Sequence, residues 1–556
     1  MNRIIKSTFF AFILLFIMTG SKQSAYADEL NYVRVGIGSP VSSIAVTGNN
    51  IDVFFRLDGN FINVGSIYSA NSFNLSADDY YYAATNKVYG SHNDALNEAG
   101  RYYAQGRNAI PALSENGVWS VFIGPFYSKT EAEQALQANA GESVVEPGGK
   151  RLALSAGATK IALFENNMFI PYFSNAGTNT VTVGSSEYRG YLNAYRSNLS
   201  VIPVNFLPME EYLYSSVASE MPSSWHIEAL KAQAVASRCY AYSKLGAHES
   251  SGYDLCSSDH CQIYLGVKQE KEGATNAVNA TNSLVAYYGE DLINATFFSS
   301  SGGYTDDSEN VWVNAMPYLR SVSDSYDSTG KEWTRSFTLS ELTNLASLNN
   351  YSLGSVTGVE ISKTSSNGRV QELIIKGTSG NKILTKEEIR TFFSKATGGS
   401  LESRYFRIGQ FSVSVSDGIS ASISPTVENI ASNLYVKSDN SSARSEANVI
   451  RVINGSGNNV STTYYNSVNL QSSVGKYELP ISISSPIPNN AVITGGTTVV
   501  SGGLVSSGNT VTFSGRGWGH GVGLSQHGAK GMAEYGFTFD QILKHYYTGI
   551  ELLKVK

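Results

Sequence analysis

An alanine-rich segment between Ile227 and Ala241 constrains the fold of this chain more than any other sequence feature. Apolar side chains recur along it at helical spacing, at Ile227, Leu230, Ala234 and Ala241. This spacing predicts one helix with an apolar face, starting near Ser224. Alanine has the highest helix propensity, and its small side chain lets neighbouring elements approach closely. We therefore expect a tightly packed central helix.

The remainder of the sequence favours strands. The 556 residues exceed one ordinary domain, so two to four structural units are expected. Only 15% of the residues are charged, against roughly 25% in typical soluble domains. The formal charge of −6 argues against a general nucleic-acid surface. We predict an α+β, β-rich multidomain protein, with the alanine-rich helix in its central domain and a small α+β repeat module near the N-terminus.

Residues 1–27 have the pattern of a signal peptide. Arg3 and Lys6 precede the apolar run 9–18, and the small-x-small site 25–27 comes before Asp28. The apolar run is shorter than the roughly 20 residues of a membrane span. We therefore expect an exported, secreted protein.

The N-terminal region divides by pattern into a β-rich segment, 28–77, and a module, 78–147, that holds two copies of strand, turn and helix. The second copy has the strand pattern 119–126, followed by a helix that starts near Ser128. This copy resembles the SPOR domain, which implies binding to peptidoglycan glycan without stem peptides. A generic α+β spacer is the alternative interpretation.

A first chemical block centres on Glu220, which lies between small residues and Pro222 just ahead of the helix. A loop of this kind is a usual place for a catalytic acid, and the apolar Met221 and Trp225 could desolvate it. Lys231 and Arg238, two helical turns apart, share one face of the helix. The alternative is a surface glutamate stabilised by the helix dipole.

Two further blocks lie downstream. The second contains Ser300, Ser301, Gly302 and Gly303, and the third has a glycine at every second position from 515 to 523. The third block lacks the Walker and G-x-G-x-x-G orders. Alternate glycines in a strand let another backbone or a sugar ring approach closely. A tight strand crossing would explain them as well.

The three blocks together resemble the SpoIID/LytB family, the stage II sporulation protein D type of wall protein. The resemblance covers roughly residues 155–412 and 510–554. It implies a catalytic domain in two parts, 150–411 and 511–556, separated by a β-rich insertion at 412–510. It also implies a lytic transglycosylase that cuts peptidoglycan glycan strands after an amidase has removed their peptides, with Glu220 as the catalytic acid/base. Cys239 departs from the expected Thr.

The remaining residues of these blocks are candidates for the glycan cleft. Side chains that could donate hydrogen bonds or stack on a sugar, and glycines that admit it, are Lys231, Arg238, Ser300, Ser301, Gly302, Gly303, Trp518, His520, Ser525 and Gln526. Two other functions stay open. One is a non-catalytic, glycan-binding enhancer of an N-acetylmuramoyl-L-alanine amidase, and the other is a structural protein of the wall or spore coat.

A candidate metal site follows the helix. His248, Cys256, His260 and Cys261 lie close together in the pattern H-x7-C-x3-H-C, and two His with two Cys suit tetrahedral Zn²⁺. The family resemblance also implies a structural zinc here. A disulfide between Cys256 and Cys261 is an alternative in an exported protein, and ordinary loop residues are another.

Overall fold

The computed structural model describes residues 31–57, 59–114, 117–136, 141–165, 170–408 and 510–555, and between residues 409 and 509 it describes backbone strands alone. The predicted signal peptide, 1–27, lies outside the described residues, as does most of the predicted insertion, 412–510. The chain forms two compact units: unit 1 runs to Asn294 and includes Glu551–Lys556, and unit 2 is Ala295–Ile550. Among the described residues, no helix has the length and apolar character needed to cross a membrane.

Most of the described strands of unit 1 join two large sheets. The strands are β1 (Tyr32–Gly36), β2 (Ser43–Thr47), β3 (Asn50–Leu57), β4 (Asn60–Tyr68), β5 (Phe73–Ala77), β6 (Tyr81–Ala84), β7 (Ala109–Leu113), β8 (Trp119–Phe126), β9 (Ser143–Val145), β10 (Leu152–Ala156), β11 (Thr159–Phe164), β12 (Tyr172–Asn175), β13 (Thr180–Val183), β14 (Ser186–Arg189), β15 (Tyr191–Ser197), β16 (Ser200–Pro208), β17 (Leu255–Cys256), β18 (Leu284–Tyr288) and β19 (Asp291–Leu292). One sheet has the order β17-β1-β16-β15-β12-β3-β4, and the other has the order β14-β13-β2-β5-β10-β11-β7-β8-β6-β9.

The two large sheets of unit 1 share an apolar core. The core forms because each strand turns alternate side chains to one face of its sheet. In strand β2, Ile44 and Val46 are buried while their neighbours are exposed. Phe73, Leu152 and Leu192 come from different strands and join the same core. The predicted boundaries at residues 77 and 147 fall between strands of a single sheet, and these boundaries stay predictions.

Helices accompany these sheets. The described part of unit 1 contains α1 (His92–Ala104), α2 (Lys129–Gln134), α3 (Met209–Glu220), α4 (Ile227–Ser243) and α5 (Glu272–Ala280), with 3-10 turns at Glu249–Ser251 and Val267–Gln269. Helix α4 is the predicted alanine-rich helix, and Leu230, Ala234 and Ala241 are buried on it. It begins after Ser224 because the preceding chain forms a tight turn, in which the Trp225 N–H donates to the Pro222 carbonyl at 2.9 Å.

Unit 2 carries smaller sheets. Its strands are β20 (Phe297–Phe298), β21 (Trp333–Thr338), β22 (Val356–Thr364), β23 (Val370–Gly377), β24 (Gly380–Thr385), β25 (Phe406–Ile408), β26 (Val413–Val415), β27 (Ile419–Ala421), β28 (Val436–Ser438), β29 (Ser441–Glu446), β30 (Val449–Asn454), β31 (Asn459–Tyr464), β32 (Ser467–Ser472), β33 (Gly475–Pro480), β34 (Ile493–Thr494), β35 (Thr498–Val499), β36 (Thr510–Gly515) and β37 (Leu524–Ser525). Its helices are α6 (Leu339–Leu348), α7 (Glu388–Phe393), α8 (Gln526–Glu534) and α9 (Phe539–Tyr546), with a 3-10 turn at Ser308–Asn310.

The second and third sequence blocks meet through strand pairing. In unit 2, β36 pairs antiparallel with both β21 and β25, and β20 pairs in parallel with β37. This pairing brings the second block beside the third, although the two are far apart in the sequence. In unit 1, the C-terminal strand β38 (Glu551–Lys554) pairs antiparallel with β18. The mixture of sheets and helices confirms the predicted α+β, β-rich fold class.

Candidate active site and metal centre

Glu220 is the last residue of helix α3 and is half-buried. The prediction of a loop position was therefore wrong. The helix ends there because Met221 is extended, while its N–H still donates to the Val217 carbonyl at 3.0 Å. Met221 is only 1% exposed, so its apolar side chain anchors the chain directly after the carboxyl group. This packing holds Glu220 at a defined position.

Two tyrosines connect the surroundings of Glu220 with the metal-ligand candidates. Burial raises the pKa of Tyr212 well above its usual value, and the charges of Cys261 and Glu220 add to this effect. Burial likewise raises the pKa of Tyr240 to about 12, with contributions from Cys261, Cys256 and Glu220. The charges of Glu220 and Cys261 thus contribute to the raised pKa values of both Tyr212 and Tyr240.

Gln262 joins the segment that carries the cysteines to both helices. Its side chain is fully buried. The Tyr212 hydroxyl of α3 donates to Gln262 Oε1 at 3.0 Å, and Gln262 Nε2 donates to the Ser237 carbonyl of α4 at 3.3 Å. In the sequence, only the position of Gln262 directly after Cys261 indicated that it could link this segment to the helices.

The four predicted metal ligands lie together. Their ligand atoms all fall within 4.8 Å of one another. His248 Nε2 is 3.3 Å from Cys261 Sγ, and His260 Nδ1 is 3.6 Å from Cys256 Sγ and 3.5 Å from Cys261 Sγ. Zn–N and Zn–S bonds in a tetrahedral site place such donors about 3.3–3.8 Å apart. The cluster could therefore hold a metal ion. Its donor set suits zinc, and the three pairs just given have the spacing of a tetrahedral zinc site.

The two cysteines of the cluster are free thiols in the structure. Burial opposes ionisation of Cys256, but hydrogen bonds involving Ser258, Cys261 and His260 lower its pKa to about 7. Burial raises the pKa of Cys261 to about 11. Since the thiolate is the form that binds metal, both thiols would have to lose their proton for all four ligands to bind. The third cysteine, Cys239, is fully buried on α4 and accepts a hydrogen bond from the Ala286 N–H.

Lys231 and Arg238 have different surroundings despite their shared helix. Lys231 forms an ion pair of 2.7 Å with Glu228 and is partly exposed. Arg238 is fully buried, and its guanidinium donates to both carboxylate oxygens of Glu210 at 2.8 and 2.6 Å. A structural role that ties α4 to α3 fits Arg238 better than the predicted contact with substrate. The partner Glu210 could not be identified from sequence.

We expect Arg238→Met to lower the free energy of unfolding by about 3–5 kcal/mol, because it leaves the Glu210 carboxylate without its buried partner. Lys231→Met is the matched control, and its cost should stay below about 1 kcal/mol because the pair is partly exposed. Urea unfolding followed by circular dichroism measures both. Equal stability of the two variants, with glycan binding lost in Arg238→Met alone, would instead assign the guanidinium to substrate.

The second block forms a buried hydrogen-bond network in unit 2. Ser300 and Ser301 are at most 1% exposed. Asp327 Oδ2 accepts from the Ser300 hydroxyl at 2.6 Å and from the Gly302 N–H at 3.2 Å. Next to it, the Gly303 N–H donates to Ser301 Oγ at 2.9 Å. These groups shape the loop from within. Asp327 was missed from sequence, because no local pattern links it to serines in another segment of the chain.

The alternate glycines of the third block adopt left-handed backbone angles, with φ of +77° at Gly517, +109° at Gly519, +90° at Gly521 and +81° at Gly523. The expectation of a strand over this segment was therefore wrong. The expected close approach is confirmed: a Cβ at Gly517 would lie 2.8 Å from the Ser300 carbonyl oxygen, and one at Gly523 would collide with the Thr296 carbonyl. The glycines thus allow the backbones of the second and third blocks to touch.

Gly523→Ala should cost several kcal/mol more stability than Gly536→Ala. Both glycines have left-handed φ, +81° and +91°, so alanine carries a similar backbone cost of about 1–2 kcal/mol at each. A Cβ at Gly536 meets nothing within 4 Å, whereas one at Gly523 collides with the Thr296 carbonyl. Thermal unfolding of the two variants separates the collision from the backbone cost. Equal melting temperatures would contradict the close approach.

The other predicted cleft residues of the third block differ in exposure. Trp518 is 49% exposed and presents its ring to solvent. His520 is half-buried beside Phe298 and Trp312, and desolvation, aided by the charges of Arg390, Arg369 and Arg404, lowers its pKa to about 3. Ser525 and Gln526 are buried, and Ser525 caps helix α8 by accepting from the Gly528 N–H. Trp518 is therefore the best placed of these four to meet a ligand.

Comparison with known proteins matches the region around Glu220 to a family. The model of SpoIID, Stage II sporulation protein, matches residues 197–288. The amidase enhancer of Bacillus subtilis is 28% identical over 443 residues, which is 78% of this chain and 53% of the relative. An uncharacterized protein of Brachyspira hyodysenteriae is 34% identical over 218 residues, or 38% of this chain and 57% of the relative.

A third relative is a stage II sporulation protein D from Bacillus amyloliquefaciens. It is 25% identical over 366 residues, which cover 63% of this chain and 75% of the relative. The chain spans little more than half the length of the first two relatives. The matched segment contains α3, α4, Glu220 and all four metal-ligand candidates. Residues 197–288 are thus a domain of the stage II sporulation protein D family, and the predicted resemblance to the SpoIID/LytB family is confirmed.

Proposed function

We propose that this protein is an exported lytic transglycosylase that cleaves the bond between N-acetylmuramic acid and N-acetylglucosamine in peptidoglycan glycan strands. The observation that carries the proposal is the position of Glu220. It ends α3 inside the family-matched domain, half-buried and beside the buried Met221. The C-terminal end of a helix carries partial negative charge and does not stabilise a carboxylate, which suits a group that must donate a proton.

One carboxyl group suffices for the proposed reaction. Most glycosidases use two carboxylates because they activate water or form a covalent intermediate. Here Glu220 donates its proton to O4 of N-acetylglucosamine as the bond from that oxygen to C1 of N-acetylmuramic acid breaks. The C6 hydroxyl oxygen of the same muramic acid then bonds to C1 and passes its proton to the Glu220 carboxylate. The product has a 1,6-anhydro end, and the acid is regenerated without water.

We further propose that the metal in the cluster is zinc and that its role is structural. His248, Cys256, His260 and Cys261 would hold it, which would cross-link the segment that Gln262 joins to α3 and α4. Zinc bound by four protein ligands has no open position for substrate. Its contribution would be to fix the segment beneath the helices, while the chemistry stays with Glu220.

The name of one relative supports a second candidate function. The amidase enhancer matches over 78% of this chain, so a glycan-binding protein that enhances a wall amidase is the alternative. The amidase would also be a partner in the first proposal, because it supplies strands without stem peptides. The SPOR-like segment, 78–147, is proposed to bind the same strands.

Mass spectrometry of purified, peptide-stripped glycan strands incubated with the full chain tests these proposals. Anhydromuramic ends are the expected product. Reducing ends without anhydro rings would show hydrolysis and contradict the transglycosylase. Absence of any product from zinc-loaded protein, together with faster release of stem peptides from intact peptidoglycan by an amidase when this protein is added than by the amidase alone, would establish the enhancer instead.

A further inference from the structure

A surface in unit 2 combines an exposed tryptophan with a lysine that no sequence pattern singled out. Three loops converge there. Trp518 and Ser300 exchange backbone hydrogen bonds of 2.8 and 3.1 Å, and the Gly517 N–H donates to the Gly330 carbonyl at 2.8 Å. Lys331 Nζ then donates to Ser299 Oγ at 2.9 Å. The second and third blocks and the Gly330–Lys331 turn thus form one continuous surface.

The lysine lies over the tryptophan. Lys331 Nζ is 5.6 Å from the centre of the Trp518 ring, a cation–π distance. The ring is 49% exposed, so it keeps a free apolar area beside the ammonium group. An exposed aromatic face next to a fixed cation suits a ligand with an apolar ring face and an adjacent negative charge.

The charge of Lys331 is not neutralised within the described part of the chain. There, its ammonium contacts the Ser299 hydroxyl and the Trp518 ring and has no carboxylate oxygen within 4.0 Å. Both carboxylate oxygens of the nearby Asp327 already accept hydrogen bonds. Oδ2 accepts from Ser300 and Gly302, and Oδ1 accepts from Thr329 Oγ1 at 2.8 Å. An ammonium group has three donors, so Lys331 keeps donor capacity for an incoming anion.

The backbone of Lys331 is strained. Its φ is +36°, in the left-handed region that residues with a Cβ seldom adopt. Such conformations persist where the surroundings enforce them, and they cluster at ligand sites. The neighbouring Gly330 carbonyl, held by Gly517, supplies this constraint and fixes where the lysine side chain begins.

We infer that Lys331 and Trp518 form a muramic-acid subsite that selects glycan without stem peptides. This inference rests on the proposed substrate and not on its cleavage. Muramic acid carries a lactyl group on O3. In a peptide-stripped strand this group ends in a free carboxylate, whereas in a peptide-bearing strand it ends in a neutral amide. Trp518 stacks on a sugar ring of the strand, and the Lys331 ammonium binds the lactyl carboxylate by a charge-assisted hydrogen bond.

Binding to two matched glycans tests the subsite. Peptide-stripped strands are used as purified, or after their lactyl carboxylates have been converted to methylamides, and binding to the full chain is followed by isothermal titration. The Glu220→Gln background prevents turnover. The unmodified strands should bind about 10–100-fold more tightly than the amidated ones. Lys331→Met should abolish this preference, and Lys331→Arg should keep most of it.

Two controls separate charge recognition from folding and from general electrostatics. Trp518→Ala should weaken the binding of both glycans by similar factors, because stacking on the sugar ring does not depend on the lactyl carboxylate. Lys530→Met removes another lysine, one that is paired with Glu534 at 3.3 Å, and should keep the preference. Equal binding of the two glycans by the parent protein, or an unchanged preference in Lys331→Met, would overturn the inference. Selective binding without cleavage by wild-type protein would leave it standing while the transglycosylase proposal fails.

Discussion

Glu220→Gln should slow the release of anhydro-ended fragments from peptide-stripped glycan by about 10²–10⁴-fold, the usual contribution of a positioned general acid/base. The glutamine amide can keep hydrogen bonds of the carboxyl group but can neither donate the proton to O4 nor accept one from the C6 hydroxyl. Mass spectrometry of initial rates at equal protein concentration measures the loss. Binding of the strands should change little, since the substitution removes no bulk.

Glu211→Gln is the matched control for this experiment. Glu211 lies on the same helix, is half-buried like Glu220, and undergoes the same chemical change. Burial raises the pKa of Glu211, so its surroundings disfavour the negative charge that the substitution removes. The effect on stability should therefore be small, and fragment release should stay within about threefold of wild type. A similar loss of activity in both variants would point to α3 as a whole, and full activity of Glu220→Gln would remove Glu220 from the reaction.

Local sequence patterns predicted only part of the site. The alanine-rich spacing predicted α4, and the four ligand candidates that are neighbours in the sequence proved to be close in space. Helix α3 was missed because its Ser215, Ser216 and Ser219 have no strong helix propensity. This helix forms because Tyr212, Leu213 and Val217 are buried against the rest of unit 1, and such tertiary packing is not encoded in a short window.

Contacts between distant segments explain the other differences. Arg238 meets Glu210 across two helices, and Asp327 meets serines of another loop, so neither pair leaves a local signal. The alternate glycines predicted a close approach of another chain segment, and this was confirmed, but their left-handed angles were not foreseen. A glycine pattern shows that side chains are excluded, whereas the backbone angle depends on the segment that approaches.

Cys261→Ser should abolish stoichiometric metal binding and destabilise unit 1, because it removes one of four ligands whose donor atoms lie within 4.8 Å. A metal that binds only the folded state stabilises it by about 4 kcal/mol when its free concentration is a thousand times its Kd. Loss of that stabilisation should lower Tm by several degrees. Fragment release should also fall, because Gln262, next in sequence, holds Tyr212 of the helix that carries Glu220.

Cys239→Ala is the matched control for metal binding, since Cys239 is fully buried on α4 and lies outside the cluster. Elemental analysis of the purified full chain should find about one zinc per chain in the wild type and in Cys239→Ala, as for a closed four-ligand site, and far less in Cys261→Ser. Chelation should reproduce the lower Tm in the first two proteins and leave Cys261→Ser unchanged. If the wild type contains no metal and its intact mass shows Cys256 and Cys261 oxidised to a disulfide, the segment is held by that bond. In that case reducing agent, and not chelator, should lower both Tm and activity, because the same segment would still position Tyr212 on the helix that carries Glu220.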